Sequence, residues 1–258
     1  MIPIKTLPEI EKMRAACRVA SQILEELSRF LAPGVTTRDV DQAAARLMSD
    51  AGCRSAFLGY KRFPGYTCIS INDEVVHGIA GSRRIQYGDI VKLDIGVILN
   101  GFVGDTAATI PIGMIDENVQ RLLDVTESAL YKGIEKAREG HRLSEVCAAI
   151  QDEVEGNGFS VVREFVGHGV GRKLHEEPQI PNYRTPGATA KLKAGMTLAI
   201  EPMVNLGNPA VRVLPDDWTV VTADRSPSAH FEHTVLVTKG EPEILTWREK
   251  TSSKLKAG

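Results

Sequence analysis

Residues 93–106, LDIGVILNGFVGDT, place two aspartates, Asp94 and Asp105, in a run that otherwise reads as buried strand. A carboxylate on an apolar strand is costly unless it is paired, hydrogen-bonded or bound to a cation. Asn100-Gly101 is a strong hairpin signal, a type I′ turn. Pairing across it sets Leu99 opposite Phe102, Val97 opposite Gly104 and Gly96 opposite Asp105. Asp94 lies two residues from Gly96, so both aspartates point to one face as diagonal neighbours, with Cβ atoms up to about 7–8 Å apart. Carboxylates so placed can converge on ions between them. A solvent-facing polar side of a two-faced strand is the competing reading, and it fits Asp105 better than Asp94. A bulge at either glycine, Gly96 or Gly104, would spoil the geometry.

Further candidates for the same chemistry come later in the chain. EFVGHGVGRKLHEEPQI sets His168 in a glycine-rich loop, with His175 seven residues on. LAIEPMV ends an apolar strand on Glu201, just before Pro202, which stops ladder pairing. SAHFEHTVLV puts Glu232 in another strand, with His230 and His233 nearby, for both of which structural readings stay open. His77 precedes a glycine in NDEVVHGI. Four buried carboxylates cannot cluster as bare charges, because repulsion would raise their pKa values. Two divalent cations would neutralise Asp94, Asp105, Glu201 and Glu232. Oxygen-rich ligation with the one imidazole of His168 suits Co²⁺, Mn²⁺, Fe²⁺ or Zn²⁺ without selecting among them. Two ions about 3.5–4 Å apart suit hydrolysis through a shared water or hydroxide. His77 and His175 remain for proton transfer and oxyanion stabilisation.

The elements that must position these residues alternate along the chain. Helical periodicity runs over 8–31, from Pro8 to the Pro33-Gly34 stop. Thr36 to Asp39 reads as a capping box opening a helix to about Asp50. Strands are expected at 67–71, 89–99 and 102–110, helices at 116–138 and 143–157, then strands at 160–166, 196–205, 210–213, 218–223 and 231–238. The last residues, 248–258, read as a polar, frayed tail. PGVTTRDVDQAAARLMSDAGC (33–53) resembles EGHRLSEVCAAIQDEVEGNGF (139–159), and YGDIVKLD (87–94) resembles AGMTLAIE (194–201). Both matches fall at nearly the same offset, so a duplicated unit, about 8–110 and 116–238, is expected within one domain spanning 1–247. Asp94 and Glu201 then hold equivalent places, and a site between the halves receives an acid from each. Chance similarity of common helix and turn patterns is the alternative.

Composition bounds the partners. The chain has 258 residues, 43% hydrophobic and 25% charged, with net charge −2. No basic excess points to nucleic acid, no signal peptide opens the chain, and no apolar run is long enough to span a membrane. The four cysteines (Cys17, Cys53, Cys68 and Cys147) are scattered and read as reduced thiols of a cytoplasmic protein. Core burial is expected for all but Cys68.

Taken jointly, KMRAACRVASQIL, SINDEVVHGI, GDIVKLDIGV, GFVGDTA, GFSVVREFVGHGVGRKLHEEPQI, AGMTLAIEPMV and EHTVLV resemble the type I methionine aminopeptidases over nearly the whole chain. The resemblance implies an α/β (α+β) pita-bread fold: two pseudo-symmetric halves around a central antiparallel-rich sheet, helices outside. It implies a dinuclear metal centre of Asp94, Asp105, His168, Glu201 and Glu232. It also implies removal of an N-terminal methionine before a small second residue, by a hydroxide that the two metals activate. Glu201 would take the proton, His77 would sit near the scissile amide nitrogen, and His175 would contact the carbonyl oxygen. The substrates would be nascent polypeptide N-termini. Transient ribosome contact and a monomeric state are implied by the family alone. The methionine pocket would be lined by Tyr60, Phe63, Cys68, Leu174 and Trp218, with Phe57 nearby. Here the chain departs from the bacterial pattern, which has Cys at 57, Tyr at 63 and Phe at 174, but the replacements stay apolar and a thioether still fits. Three other readings compete, the first a type II methionine aminopeptidase, which would carry a large helical insert in its second half where none is visible. Xaa-Pro aminopeptidases and prolidases share fold and metals but usually carry an extra N-terminal domain. A non-catalytic peptide-binding homologue typically loses ligands, and here none is missing.

Overall fold

The computed structural model describes residues 2–247; the tail expected over 248–258 lies outside the described residues. In chain order the elements are α1 (Leu7–Phe30), α2 (Thr37–Asp50), β1 (Arg54–Ser55), β2 (Cys68–Ile71), β3 (Glu74–Val76), β4 (Ile90–Leu99) and β5 (Phe102–Pro111). They continue with α3 (Glu117–Glu135), α4 (Leu143–Gly156), β6 (Ser160–Val161), β7 (Gly167–Gly169), β8 (Glu176–Ile180), β9 (Thr197–Ile200) and β10 (Met203–Asn205). Last come β11 (Val211–Val213), β12 (Val220–Thr222), β13 (Ser228–His230), β14 (Glu232–Leu236) and β15 (Glu243–Ile244).

The hairpin β4–β5 is the spine of the fold. Its ten residue pairs run without a bulge from Ile90↔Pro111 to Leu99↔Phe102, in the register expected from the turn. Asn100 and Gly101 both take positive φ, +51° and +77°, as a type I′ turn requires. This hairpin lies within a nine-stranded sheet ordered β1-β4-β5-β14-β9-β7-β8, with β2 also on β4 and β15 also on β14. Two three-stranded sheets, β13-β10-β6 and β11-β12-β3, complete the β structure. Helices α1 and α2 bury an apolar stripe on one core with Val91, Leu93, Ile95 and Val97 of β4. Helices α3 and α4 do the same on a second core with Leu198, Ile200 and Val235. A third cluster, with Phe57, Phe63, Cys68, Leu174 and Trp218, lies at the site.

Several expected strands needed correcting. The stretch 196–205 is not one strand: it breaks at Glu201-Pro202, and β9 and β10 join different sheets. Pro202 cannot donate to a ladder, and the chain turns there. The strand expected over 160–166 stops at Val161. The short strands β1, β3, β7, β13 and β15, of two or three residues each, are too short for a period to show, and β8 (EEPQI) is masked by its two glutamates and Pro178. Lys92 is 1% exposed, and its Nζ donates to the Asn72 carbonyl (2.7 Å) and the Ser228 carbonyl (2.8 Å). This buried ammonium joins the β2–β3 turn to β13.

The two segments similar in sequence fold alike. Both α2 and α4 have 14 residues, and each opens on an acid three positions after its N-cap that accepts the cap's backbone N–H: Asp39 from Thr36 (3.0 Å) and Glu145 from Arg142 (2.7 Å). Gly34 and Gly140 have φ +92° and +89°. Isolated bridges tie Thr36 to Arg84 and Arg142 to Lys191.

Candidate metal centre and substrate pocket

Five adjacent strands, β4, β5, β14, β9 and β7, supply one candidate ligand each: Asp94, Asp105, Glu232, Glu201 just past the end of β9, and His168. Register sets them on one face. Asp94 pairs with Ala107, which pairs with Glu232, so those three side chains share a side; Asp105 is two residues from Ala107 and joins them. His168 pairs with Ala199, two residues before Glu201, and so faces the same way. Threonine hydroxyls lock the central strands. Thr106 Oγ1 donates to the Glu232 carbonyl (2.9 Å) and Thr234 Oγ1 to the Asp105 carbonyl (2.8 Å).

Asp105 and Glu232 are 3% and 2% exposed, which ends the solvent-facing reading for Asp105. Asp105, His168 and Glu232 each offer a donor atom within 4.8 Å of the others. His168 Nε2 lies 3.4 Å from Glu201 Oε1 and 3.8 Å from Asp105 Oδ2. Its Nδ1 is 3.0 Å from the Gly169 carbonyl. A carbonyl only accepts, so Nδ1 carries the hydrogen and Nε2 turns a lone pair toward carboxylate oxygens. Lone pairs facing one another need a cation between them, and a ring N–H on a backbone carbonyl is how metal-binding imidazoles are usually held. The buried Oδ1 atoms of Asp94 and Asp105 accept no hydrogen bond. The residues therefore fit divalent cations.

The electrostatics agree. Burial pushes Asp94 up to about 7, with Glu201 adding to the rise and His230 opposing it. Burial alone takes Glu201 to about 8. Asp105 and Glu232 are held well above the carboxylate range by burial and then by neighbouring acids. Burial lowers His168 to about 3, with His175 next in effect, and lowers His77 to about 4. These shifts describe the metal-free chain, in which repulsion is relieved only by protons.

The ligand face is the floor of a cavity of about 200 Å³. Every residue expected at the site lines it: the five ligands, His77, His175, Tyr60, Phe63, Cys68, Leu174 and Trp218, together with Phe57. Cys68 is buried and pairs with Asp94 across β2–β4. The Tyr60 hydroxyl is 2.8 Å from His175 Nδ1. Phe63 stands edge-on to Trp218, with centroids 5.0 Å apart. Sequence reasoning missed Phe165, Val76 and Met203 in the wall. Phe165 meets the His77 ring edge-on at 5.4 Å, a contact between distant segments that no local signal marks. His230, left open above, places Nε2 3.4 Å from Glu201 Oε2 and borders the site.

His77 takes φ +60°, a backbone state unusual for a non-glycine residue. Gly78 follows, and a Cβ there would lie 2.2 Å from the Ile69 carbonyl oxygen. Gly78→Ala is therefore expected to cost about 1–3 kcal/mol and to displace His77. A thermal melt and a turnover assay of one preparation check this; unchanged melting with unchanged turnover would reject the contact as rigid.

Comparison with known proteins places the chain. The pattern of metallopeptidase family M24 matches residues 11–239. Methionine aminopeptidase 1 of Bacillus subtilis (strain 168) is 50% identical over 246 residues, covering 95% of this chain and 99% of that protein. The crystal structure of a methionine aminopeptidase from Thermotoga maritima superposes with TM-score 0.94 at 46% identity, covering 96% of this chain and all of the other. A prolidase from Pyrococcus furiosus superposes less closely, TM-score 0.78 at 26% identity, and this chain spans 66% of it.

Proposed function

Because the chain belongs to metallopeptidase family M24, we propose that it is a methionine aminopeptidase, releasing N-terminal methionine from peptides whose second residue is small. The observation that carries this reading is the junction of two features in one cavity of about 200 Å³: a five-ligand floor and apolar walls that include Phe57, Phe63, Leu174 and Trp218. Such a pocket suits an unbranched thioether side chain. Its small size leaves the reacting amide against the ligands.

Asp94, Asp105, His168, Glu201 and Glu232 would hold two divalent ions, which lower the pKa of bound water and polarise a carbonyl. The chain's own groups do the rest. Glu201, at the edge of the cluster, accepts the proton of the attacking water. The Tyr60 hydroxyl lies 2.8 Å from His175 Nδ1; in the tautomer where Nδ1 accepts from it, the Nε2–H is left to stabilise a developing oxyanion. Burial keeps His77 neutral near pH 7, so it can hydrogen-bond an amide nitrogen without carrying charge. Phe165 and Trp218 hold its ring edge-on, and Trp218 also closes the pocket against Phe63.

The chain works as one catalytic domain over 1–247 made of two related halves, about 8–110 and 116–238; the matched caps and bridges support this. No helix among the described residues is long and apolar enough to cross a membrane. We place the activity in the cytoplasm, on nascent polypeptide N-termini, carried out by a monomer in transient contact with the ribosome. The test is release of methionine from a Met-Ala-Ser peptide with Mn²⁺ or Co²⁺ supplied, beside an Xaa-Pro peptide and an N-acetylated Met-Ala-Ser. Cleavage of the free-amine methionyl peptide alone is expected. Cleavage of the Xaa-Pro peptide alone would transfer the chain to the prolidase-like activity, and no turnover or metal uptake would make it a peptide-binding homologue.

A further inference from the structure

The pocket above takes one side chain, so the rest of a peptide must leave along the surface. A groove of about 580 Å³ opens from the pocket and shares Tyr60, Lys61, Val166, His168 and His175 with it. It continues past Lys173, Glu176, Glu177 and Gln179, beside β8, the outermost strand of the nine-stranded sheet. A chain leaving the site on the His175 side would enter this groove after its second residue.

The charges lining the groove are unequal. Glu176 is neutralised by Lys5, with Nζ 2.7 Å from its Oε2, and its other oxygen accepts the backbone N–H groups of Arg172 (2.9 Å) and Lys173 (3.2 Å). Glu177 is exposed and is the one remaining carboxylate. Against it stand Lys61 and Lys173, both exposed, neither ammonium in an ion pair with a described residue. Lys61 is held at the rim by its backbone. It takes φ +45°, Arg62 follows at +71°, and its Nζ sits 5.5 Å over the Tyr60 ring. Two successive non-glycine residues in the left-handed region mark a loop whose shape the surroundings impose, as happens at binding sites.

We propose that this groove binds the peptide downstream of the cleaved bond and that Lys61 and Lys173 make it favour acidic side chains at the third and fourth residues. The proposal rests on the aminopeptidase reading and adds a substrate preference to it. Exposed charges act weakly and are screened by salt, so the preference is modest and shrinks as ionic strength rises.

The experiment compares kcat/KM for Met-Ala-Glu-Glu, Met-Ala-Gln-Gln and Met-Ala-Lys-Lys peptides, all amidated, with the wild type and the double variant Lys61→Gln, Lys173→Gln. At low salt the wild type is expected to prefer the Glu peptide over the Lys peptide by roughly threefold to tenfold. The double variant should bring the ratio near one while still cleaving the Gln peptide, which shows that it is folded and active. A wild-type ratio near one or below overturns the groove, and so does a ratio that survives in the variant. Failure of the wild type to cleave the Gln peptide at all would instead sink the aminopeptidase reading, and the groove proposal with it.

Discussion

Glu201→Gln is expected to lower kcat on a Met-Ala-Ser peptide by roughly 10³-fold or more, within the range associated with loss of a positioned general base. The substitution keeps the size and shape of the side chain, so the break at Glu201-Pro202 and the third core cluster should persist. It removes the charge from the one ligand that also faces His168 and His230, at 3.4 Å each. Bound metal should fall in the same preparation, because a carboxamide is a weaker ligand for a hard divalent ion. Metal analysis beside steady-state kinetics reads both effects. Activity within about tenfold of wild type, with full metal content, would remove Glu201 from the role given to it here.

The second large effect concerns pH and metal together. In the metal-free chain Asp94 keeps its proton up to about pH 7 and Glu201 up to about pH 8, against ordinary values of 3.8 and 4.5. From about pH 4 upward the folded state thus holds carboxyl protons that the unfolded state has lost, which makes stability fall as pH rises. The buried histidines pull the other way over part of that range. His168, His77 and His230, lowered to about 3, 4 and 4 from 6.5, bind fewer protons folded than unfolded, so stability rises with pH until about 6.5. The two trends oppose each other below pH 6.5; from there to about pH 8 the carboxylates lead, opposed above about pH 7 by Lys92, which burial lowers to about 7 from 10.5. In that window each extra proton held by the folded state costs about 1.4 kcal/mol per pH unit. With the opposing Lys92 included, a net loss of about 1 kcal/mol or more is expected, or a Tm lower by roughly 2–4 °C for a chain of this size. Saturating Mn²⁺ should abolish the fall, since ligation favours the charged carboxylates. Melting curves in EDTA and in Mn²⁺ at pH 6.5 and 8.0 test this. A metal-free Tm that holds or climbs across the window would mean that the carboxylates do not share a dry site.

The side chains that meet at the cavity were more legible in the sequence than the strands that carry them. Asn100-Gly101 fixes one turn type, the turn fixes the register, and the register alone brings Asp94 and Asp105 to one face; the ten-pair ladder bears that chain of reasoning out. Glu201 was visible because an acid at the end of an apolar run has no ordinary structural use. The strand positions around it were not, since β7 and β13 have three residues each and no period can show in three residues. Pro202 was legible as a stop to ladder pairing, but the range 196–205 ran through it, and that the chain joins another sheet beyond it has no local signal. Phe165 stayed hidden because its contact with His77 joins residues 88 apart. Lys92 also escaped notice: a lysine on a strand reads as a solvent-facing residue until two backbone carbonyls are seen to enclose it.

The place of β14 has a consequence for how the chain is made. It is the last long strand to leave the ribosome, yet it sits in the middle of the large sheet, between β5 and β9. Until residue 236 has emerged, both of those neighbours present an unsatisfied edge, and edges of that kind invite pairing with other chains. Vectorial folding from the N-terminus therefore cannot finish the sheet. A truncation just before Glu232 would leave the facing edges of β5 and β9 unpaired, with the central seam of the large sheet open.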